Sequence, residues 1–266
     1  DTRKENNLIV HIVENLPENP EAAFRATVDI QRRTATANNH SATHLLHYSL
    51  RKVLGAHNKQ KESFVGPDYL RFDFSHFQKV TDDELLKIEK MTNRLVRENA
   101  KRDEYRSVGM DEASSMGALA FFGEKYGDKV RVIKYGDSVE LCGGTHVDAT
   151  GQIGLVKIVS EGAIASGIRR IEAITASKAE EYVYEKEAII EGLKQLVKSP
   201  TEPLKAVQQL IDQNTELRKA MEALNREKAL KLKDELISQV KQISGINFLA
   251  KKIDADATAA KDIAYG

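Results

Sequence analysis

Cysteine is the scarcest reactive residue in this chain, with a single occurrence, Cys142, among 266 residues. One cysteine cannot form an internal disulfide, so Cys142 is a buried small side chain, a reactive thiol or a metal ligand. No apolar run approaches the roughly 20 residues that a membrane span requires, and no signal-peptide pattern opens the sequence. These absences favour a globular protein of the cytoplasm with no membrane partner.

Acidic residues are missing from one internal segment, although the whole chain carries no net charge. From Gln31 to Lys61 there is no Asp or Glu, while six Lys or Arg residues and four His residues are present. Such a segment predicts an anionic ligand. The alternative is a solvated basic helix face, and the charge pattern alone leaves both open.

The same segment carries two histidines four residues apart, His40 and His44. Leucines at positions 45, 46, 50 and 54 have helical spacing, so both imidazoles are expected on one face of a helix. Zinc proteases place a Glu directly after the first histidine of such a pair, whereas this chain has Ser41. Protease activity is therefore not expected.

A second group of metal-competent side chains lies far along the chain, in residues 142–146 (CGGTH). Cys142 and His146 follow a strand-like stretch, and the two glycines between them favour a turn. Separately, the histidine pair could be incidental and the CGGTH stretch a tight turn with a buried thiol. Together they supply a His/His/Cys/His set suited to tetrahedral zinc.

The order of predicted elements favours an α+β domain, because strands and helices do not alternate regularly. We expect the metal helix to start at an N-cap of Asn38 or Asn39. A capping-box signature at Thr81 opens a second helix that runs to about Asn99. A short helix is expected over residues 111–117. Strands are expected over residues 8–13, 26–30, 64–65, 70–74, 130–135, 138–141, 153–159 and 170–175.

Composition shifts near Ser177 towards good helix formers, with one break at residues 199–203. We expect a helical hairpin or coiled-coil linker over residues 177–244, with the apolar stripe of its second arm packed on the first. Homodimerisation is the alternative use of that stripe. Residues 245–266 are too few for a core and are expected to start a further domain.

Four stretches resemble the editing domain of alanyl-tRNA synthetases. In chain order they are residues 39–47 (NHSATHLLH), 70–76 (LRFDFSH), 140–146 (ELCGGTH) and 167–173 (GIRRIEA). Several long motifs in the right order are far more specific than a zinc pattern alone. The resemblance covers residues 1–176 and implies a mixed-sheet α+β domain of the threonyl/alanyl-tRNA synthetase type.

The resemblance implies a hydrolase that removes serine, with glycine as a second candidate, from tRNA specific for alanine. The aminoacylation site of a synthetase for a small amino acid rejects an isostere with an added hydroxyl by only about 10²-fold. A second site is therefore needed to remove the wrongly attached amino acid. That second site must form hydrogen bonds to the serine hydroxyl. When alanine is bound instead, the polar groups of the site are left without partners, which disfavours the alanine ester. The full-length synthetase would attach alanine to tRNA with ATP, but no ATP site or aminoacylation core is recognisable here.

The resemblance also implies roles for individual residues. The zinc ligands would be His40, His44, Cys142 and His146. Residues expected at the reaction centre are Gln60, Thr43, Cys142, Gly143 and Gly144, and those expected to bind substrate or tRNA are Ser41, Arg71, Asp73, Arg169 and Arg170. This chain has Glu62 where the family commonly has glycine, and His47 is expected to support the site or the core without binding the metal.

Some alternatives remain open at this point. The hydroxyl of Thr43 could return to its own helix carbonyl instead of binding substrate. The zinc could hold together a non-catalytic tRNA-binding module, because four protein ligands close a tetrahedral site. The chain could also be a free-standing hydrolase of the same superfamily, although the long helices after Ser177 favour a synthetase segment.

Overall fold

The computed structural model describes residues 2–6, 8–16, 18–120, 127–199 and 201–253. The chain divides into two compact units, Asp1–Val183 and Tyr184–Gly266. The strands of the first unit are β1 (Thr2–Glu5), β2 (Leu8–His11), β3 (Gln60–Val65), β4 (Leu70–Ser75), β5 (Asp103–Gly109), β6 (Lys129–Tyr135), β7 (Ser138–Leu141), β8 (Val156–Ala165) and β9 (Ile168–Thr175). Its helices are α1 (Ile30–Leu54), α2 (Asp82–Arg97) and α3 (Met110–Ser115), with a 3₁₀ turn at Thr150–Ile153. The predicted α+β class is confirmed.

A four-stranded sheet of order β3-β4-β9-β8 carries helix α1. All of its strand pairs are antiparallel, and an isolated parallel bridge elsewhere joins Leu119 to Glu140. Leucines of α1 pack into one core with aromatic and aliphatic side chains of β4 and β9. Leu46 and Phe72 are fully buried there. Burial of one such side chain stabilises the fold by about 1.5–3 kcal/mol.

A smaller three-stranded sheet, β5-β6-β7, has its own apolar cluster around Val132 and Leu141. Strand β7 ends at Leu141, so the next residue, Cys142, emerges at the edge of this sheet. Helix α1 contacts both β7 and the larger sheet. Helix α1 carries His40 and His44 and contacts the strand that ends just before Cys142. This contact brings the two halves of the candidate metal site together.

Helix α1 begins almost three turns earlier than predicted. Its N-cap is Asp29, whose side chain accepts the Arg32 N–H, so the predicted cap at Asn38 or Asn39 is wrong. The strand expected over residues 26–30 is also absent, since residues 23–29 have no regular structure and α1 starts at Ile30. Asn39 instead binds the Gly66 carbonyl and the Thr175 hydroxyl. From the sequence alone, an asparagine that makes such long-range hydrogen bonds cannot be distinguished from a helix N-cap.

The second unit contains most of the predicted helical region. Helix α4 (Ala176–Leu196) begins in the first unit and ends in the second, and α5 (Pro203–Ser238) is followed by β10 (Lys241–Ile243) and β11 (Ile246–Phe248). The expected packing of the α5 stripe on α4 is not seen among the described residues, because most of its side chains are exposed, Leu204 by 79% and Met221 by 64%, although Val207 is half-buried. Charged pairs such as Lys219–Glu216 support the helix locally instead. Two parts of the predicted region lie outside the described residues. They are Pro200, in the predicted break between the helices, and residues 254–266 of the predicted further domain.

Across the described parts of the chain, no helix is long and apolar enough to cross a membrane.

The capping box at the start of α2 gives a direct test of local stability. The Thr81 hydroxyl accepts the Glu84 N–H at 3.2 Å, and the Glu84 carboxylate accepts the Thr81 N–H at 2.9 Å. Thr81→Ala is expected to lower the free energy of unfolding by about 1 kcal/mol, measured by urea denaturation. Lys90→Ala, an exposed change in the same helix, should alter it by less than about 0.5 kcal/mol. Equal losses in both variants would contradict the capping role.

Candidate metal centre

Helix α1 presents His40 and His44 on one face, with ring centroids 5.5 Å apart. His44 is 1% exposed, and His40 lies at the edge of a cavity. The loop after β7 brings the second pair of side chains to the same place. The Cys142 Sγ lies 3.3 Å from the His40 Nε2 and 3.2 Å from the His146 Nε2.

These four side chains fit a single metal ion. One donor atom from each of His40, His44, Cys142 and His146 can be chosen so that all lie within 4.8 Å of one another. A tetrahedral ion bound by one thiolate and three imidazoles would hold its donor atoms about 3.5 Å apart. The structure thus brings together the complete predicted ligand set in a near-coordinating arrangement.

The electrostatic environment keeps the histidines in the form that binds metal. Burial lowers the pKa of His44 to about 3, against the opposing charge of Glu140. Burial, reinforced by the charge of His40, lowers the pKa of His146 to about 2, and burial also lowers the pKa of His40. All three imidazoles are therefore neutral near pH 7 and can offer a lone pair to a cation.

A buried carboxylate, Glu140, lies beside the cluster and contacts two histidines of α1. Glu140 accepts a hydrogen bond from the His47 Nδ1 at 2.7 Å, and its other oxygen lies 3.4 Å from the His44 Nε2 without forming a hydrogen bond. Burial raises the pKa of Glu140, but the charge of His44 and the bond from His47 outweigh this and the pKa is lowered. His47 is outside the four-ligand group, as expected.

Two arginines that were not predicted from the sequence hold the backbone of the ligand loop. Arg131 donates to the carbonyls of Cys142 and Gly144, at 3.0 and 2.7 Å, and Arg102 donates to the His146 carbonyl at 2.7 Å. Glu104 pairs with both arginines. Hydrogen bonds from Arg106 and Arg131 lower the pKa of Glu104 to about 2, so it is ionised at neutral pH.

Serine 41 faces away from the cavity and ties α1 to the loop. Its hydroxyl accepts the Val147 N–H at 3.1 Å and lies 3.2 Å from the His146 Nδ1. The Tyr135 hydroxyl, which donates to the Val147 carbonyl, lies 3.4 Å from it. Ser41 is fully buried, contacts a predicted metal ligand, and is not among the described residues that line either cavity next to the cluster.

The cluster cavity, about 480 Å³ in volume, opens beside the four ligands. Thr43, Gln60, Gly143 and Gly144 line it together with three of those ligands. The Gln60 Nε2 donates to the Ser63 hydroxyl, but its Oε1 is buried and has no partner among the described residues. The Thr43 hydroxyl donates to the Asn39 carbonyl at 2.8 Å, the helix bond that the alternative interpretation expected.

Four predicted tRNA-binding residues lie on β4 and β9, outside the lining of the cluster cavity. Arg170 pairs bidentately with Asp73, both bonds being 2.7 Å. Arg71 pairs with Glu62 at 3.1 Å, and Arg169 pairs with Glu161. Glu62 follows an irregularity in the β3–β4 register between positions 60 and 62.

Residues 130–172 match the family described as the threonyl and alanyl tRNA synthetase second additional domain. This match begins in β6, includes the ligand loop and all of β8, and ends within β9.

Similarity to alanine–tRNA ligases extends over the whole chain. The chain is 51% identical to the enzyme of Christiangramia forsetii, 47% to that of Parabacteroides distasonis and 46% to that of Porphyromonas gingivalis. Each comparison covers 265 residues and 100% of this chain, but 30% of the relative. The chain is therefore similar to one segment of alanine–tRNA ligases and spans about 30% of the length of these curated relatives.

Proposed function

We propose that this chain hydrolyses the ester bond of tRNA for alanine that has been mischarged with serine. The observation that carries the proposal is the four-ligand cluster at the wall of a polar cavity, in a segment related to a synthetase editing domain. Glycine is a second candidate amino acid. Because the substrate would be a tRNA used in translation, we place the activity in the cytoplasm.

Zinc is the metal that we propose for the cluster. Three neutral imidazoles and one thiolate form a donor set that zinc prefers, and hard cations such as Mg²⁺ do not. His40, His44, Cys142 and His146 would hold it. When bound, zinc would supply a positive charge that orients and polarises the substrate's amine or ester.

The chain's own groups would carry out the remaining tasks. The unpaired Gln60 Oε1 can accept a hydrogen bond from a water molecule and so orient it in the cavity. The carbonyls of Cys142 and Gly144 are already bound by Arg131, whereas the N–H groups of Gly143 and Gly144 have no partner among the described residues. Such N–H groups could stabilise the oxyanion that forms during ester hydrolysis.

Thr43 is our candidate for recognition of the serine hydroxyl. Because its own proton is donated to the Asn39 carbonyl, the hydroxyl can offer the cavity only its lone pairs. A serine hydroxyl can donate to those lone pairs, and alanine cannot. The arrangement would favour hydrolysis of the serine ester over the alanine ester.

A non-catalytic zinc-stabilised tRNA-binding module is the second candidate function. It is favoured by the ligand count, since four protein ligands leave no open position on a tetrahedral ion. Such a module would protect the ester bond of bound seryl-tRNA, and the hydrolase would cleave it.

In either case the exposed stripe of α5 remains a proposed surface for homodimerisation.

Deacylation of tRNA tests the proposed function directly. The zinc-loaded chain is expected to release serine from seryl-tRNA specific for alanine faster than it releases alanine from the correctly charged tRNA. Radiolabelled amino acids and acid precipitation would follow both reactions. Protection of seryl-tRNA relative to spontaneous hydrolysis would reject the hydrolase in favour of the binding module.

Thr43→Val tests the proposed basis of selectivity because it removes the hydroxyl and keeps the side-chain shape. The ratio of kcat/KM for the serine and alanine esters should fall about tenfold, as expected from the loss of one hydrogen bond. Thr36→Val is the matched control, since Thr36 makes the same bond to its own helix and does not line the cluster cavity. Unchanged selectivity in Thr43→Val would reject this role.

A pair of glycine variants tests the metal site. A methyl group at Gly144 would overlap the His40 ring, whereas a methyl at Gly143 would meet no atom within 4 Å among the described residues. Gly144→Ala is therefore expected to weaken zinc binding by at least about tenfold, measured by competition with a chromophoric chelator. Gly143→Ala should bind zinc as the parent does. Equal affinities in both variants would contradict the ligand assignment of His40.

A further inference from the structure

We propose that Ser63 is a positioning residue, which fixes the side-chain amide of Gln60 so that the amide oxygen faces the cluster cavity. This inference rests on the proposed function, because it explains how that oxygen is held in place to orient a water molecule. Both residues belong to strand β3 and line the cluster cavity. Ser63 would act on the reaction through Gln60.

An irregularity in the backbone of β3 brings these two side chains together. Side chains three residues apart on a regular strand point to opposite faces of the sheet. In β3 the register shifts between positions 60 and 62, where Gln60 lies opposite Phe74 and Glu62 lies opposite Asp73. Strand β3 therefore contains one extra residue, as in a β-bulge, and Gln60 and Ser63 come to the same face.

The cross-strand partners identify that face. Gln60 pairs with Phe74 and Ser63 pairs with Phe72, and side chains directly opposite each other on antiparallel strands share a face. Phe72 and Phe74 are fully buried in the core that includes the leucines of α1. Gln60 and Ser63 therefore lie on the face that carries α1, the helix of two predicted metal ligands.

Glu62, the residue before Ser63, points to the opposite face. Its carboxylate pairs with Arg71 at 3.1 Å, and Arg71 precedes the inward-facing Phe72 on β4. Since 68% of the Glu62 side chain is exposed, this pair contributes little energy by itself. It shows that regular alternation resumes at Glu62, which leaves Ser63 on the side of the cavity.

One hydrogen bond then sets the direction of the Gln60 amide. Its Nε2 donates to the Ser63 hydroxyl at 2.9 Å, while its Oε1 is buried and has no partner among the residues that the structure describes. Ser63 is exposed, so it can donate its own proton to solvent and keep its lone pairs for Gln60. The terminal torsion of glutamine has a broad, roughly two-fold preference. Without Ser63 the amide could therefore turn its N–H groups towards the cavity in place of its oxygen.

Removal of the Ser63 hydroxyl tests the inference through turnover. Ser63→Ala is expected to lower kcat for deacylation of seryl-tRNA about fivefold with KM nearly unchanged, because the lost bond orients the protein's own amide and not the substrate. Ser63→Thr keeps the hydroxyl and should restore kcat to within about twofold of the parent. Ser115→Ala is the matched control, because Ser115 is an exposed serine whose hydroxyl donates to its own helix α3, outside the lining of the cluster cavity. Equal losses of kcat in Ser63→Ala and Ser115→Ala would overturn the inference.

A double-mutant cycle distinguishes action through Gln60 from a separate role of Ser63. Gln60→Ala removes the amide, so adding Ser63→Ala to that variant should change kcat by less than about twofold. A further loss of about fivefold in the Gln60→Ala background would show that Ser63 acts independently of Gln60, and the positioning role would then be wrong.

Hydrogen exchange of the Gln60 side-chain amide provides a measurement that does not depend on hydrolysis. In NMR spectra of the ¹⁵N-labelled 266-residue chain, the resonances of this amide are identified by their absence from Gln60→Ala. Ser63→Ala should speed their exchange with water about fivefold through loss of the hydrogen bond. If the parent cleaves seryl-tRNA but Ser63→Ala changes neither kcat nor the exchange rate, the positioning role is wrong and the hydrolase stands. If the exchange rate depends on Ser63 but no hydrolysis occurs, Ser63 positions Gln60 and the hydrolase is wrong.

Discussion

Everything at the candidate site depends on holding a five-residue loop against one face of a helix. His40 and His44 are fixed by α1, but Cys142 and His146 come from a turn with two glycines. Hydrogen bonds from Arg102 and Arg131 to loop carbonyls, and from the Val147 N–H to Ser41, fix that turn. Charge-assisted bonds of this kind are among the stronger ones in proteins, and Glu104 keeps both guanidinium groups in place.

The same contacts decide what the loop can offer a substrate. Guanidinium groups occupy the carbonyls of Cys142 and Gly144, and the N–H groups of Gly143 and Gly144 have no partner within the described part of the chain, so they would be open to an anion. The close approach of Gly144 to the His40 ring leaves no room for a side chain. Metal binding and oxyanion stabilisation would thus draw on one loop conformation, and disturbing it should affect both.

Sequence alone was sufficient to predict the His/Cys cluster and most elements of the first unit. The four-residue spacing of the histidines and the CGGTH stretch are local signals, and the Thr81 capping box has the predicted geometry. The start of α1 was missed because Asn39 satisfies distant backbone and side-chain groups while having the composition of a cap. The arginine support was missed because Arg131 meets Glu104 only through the register of β5 and β6. No local pattern encodes a contact that depends on strand pairing.

The central claim is that His40, His44, Cys142 and His146 bind one zinc ion. X-ray absorption at the zinc edge of the loaded chain tests it most directly, because it reports the types and distances of the atoms around the metal. The proposed ligand set predicts one sulfur at about 2.3 Å and three nitrogens at about 2.0–2.1 Å from the zinc. A zinc environment without sulfur, or one unchanged by Cys142→Ser, would contradict it.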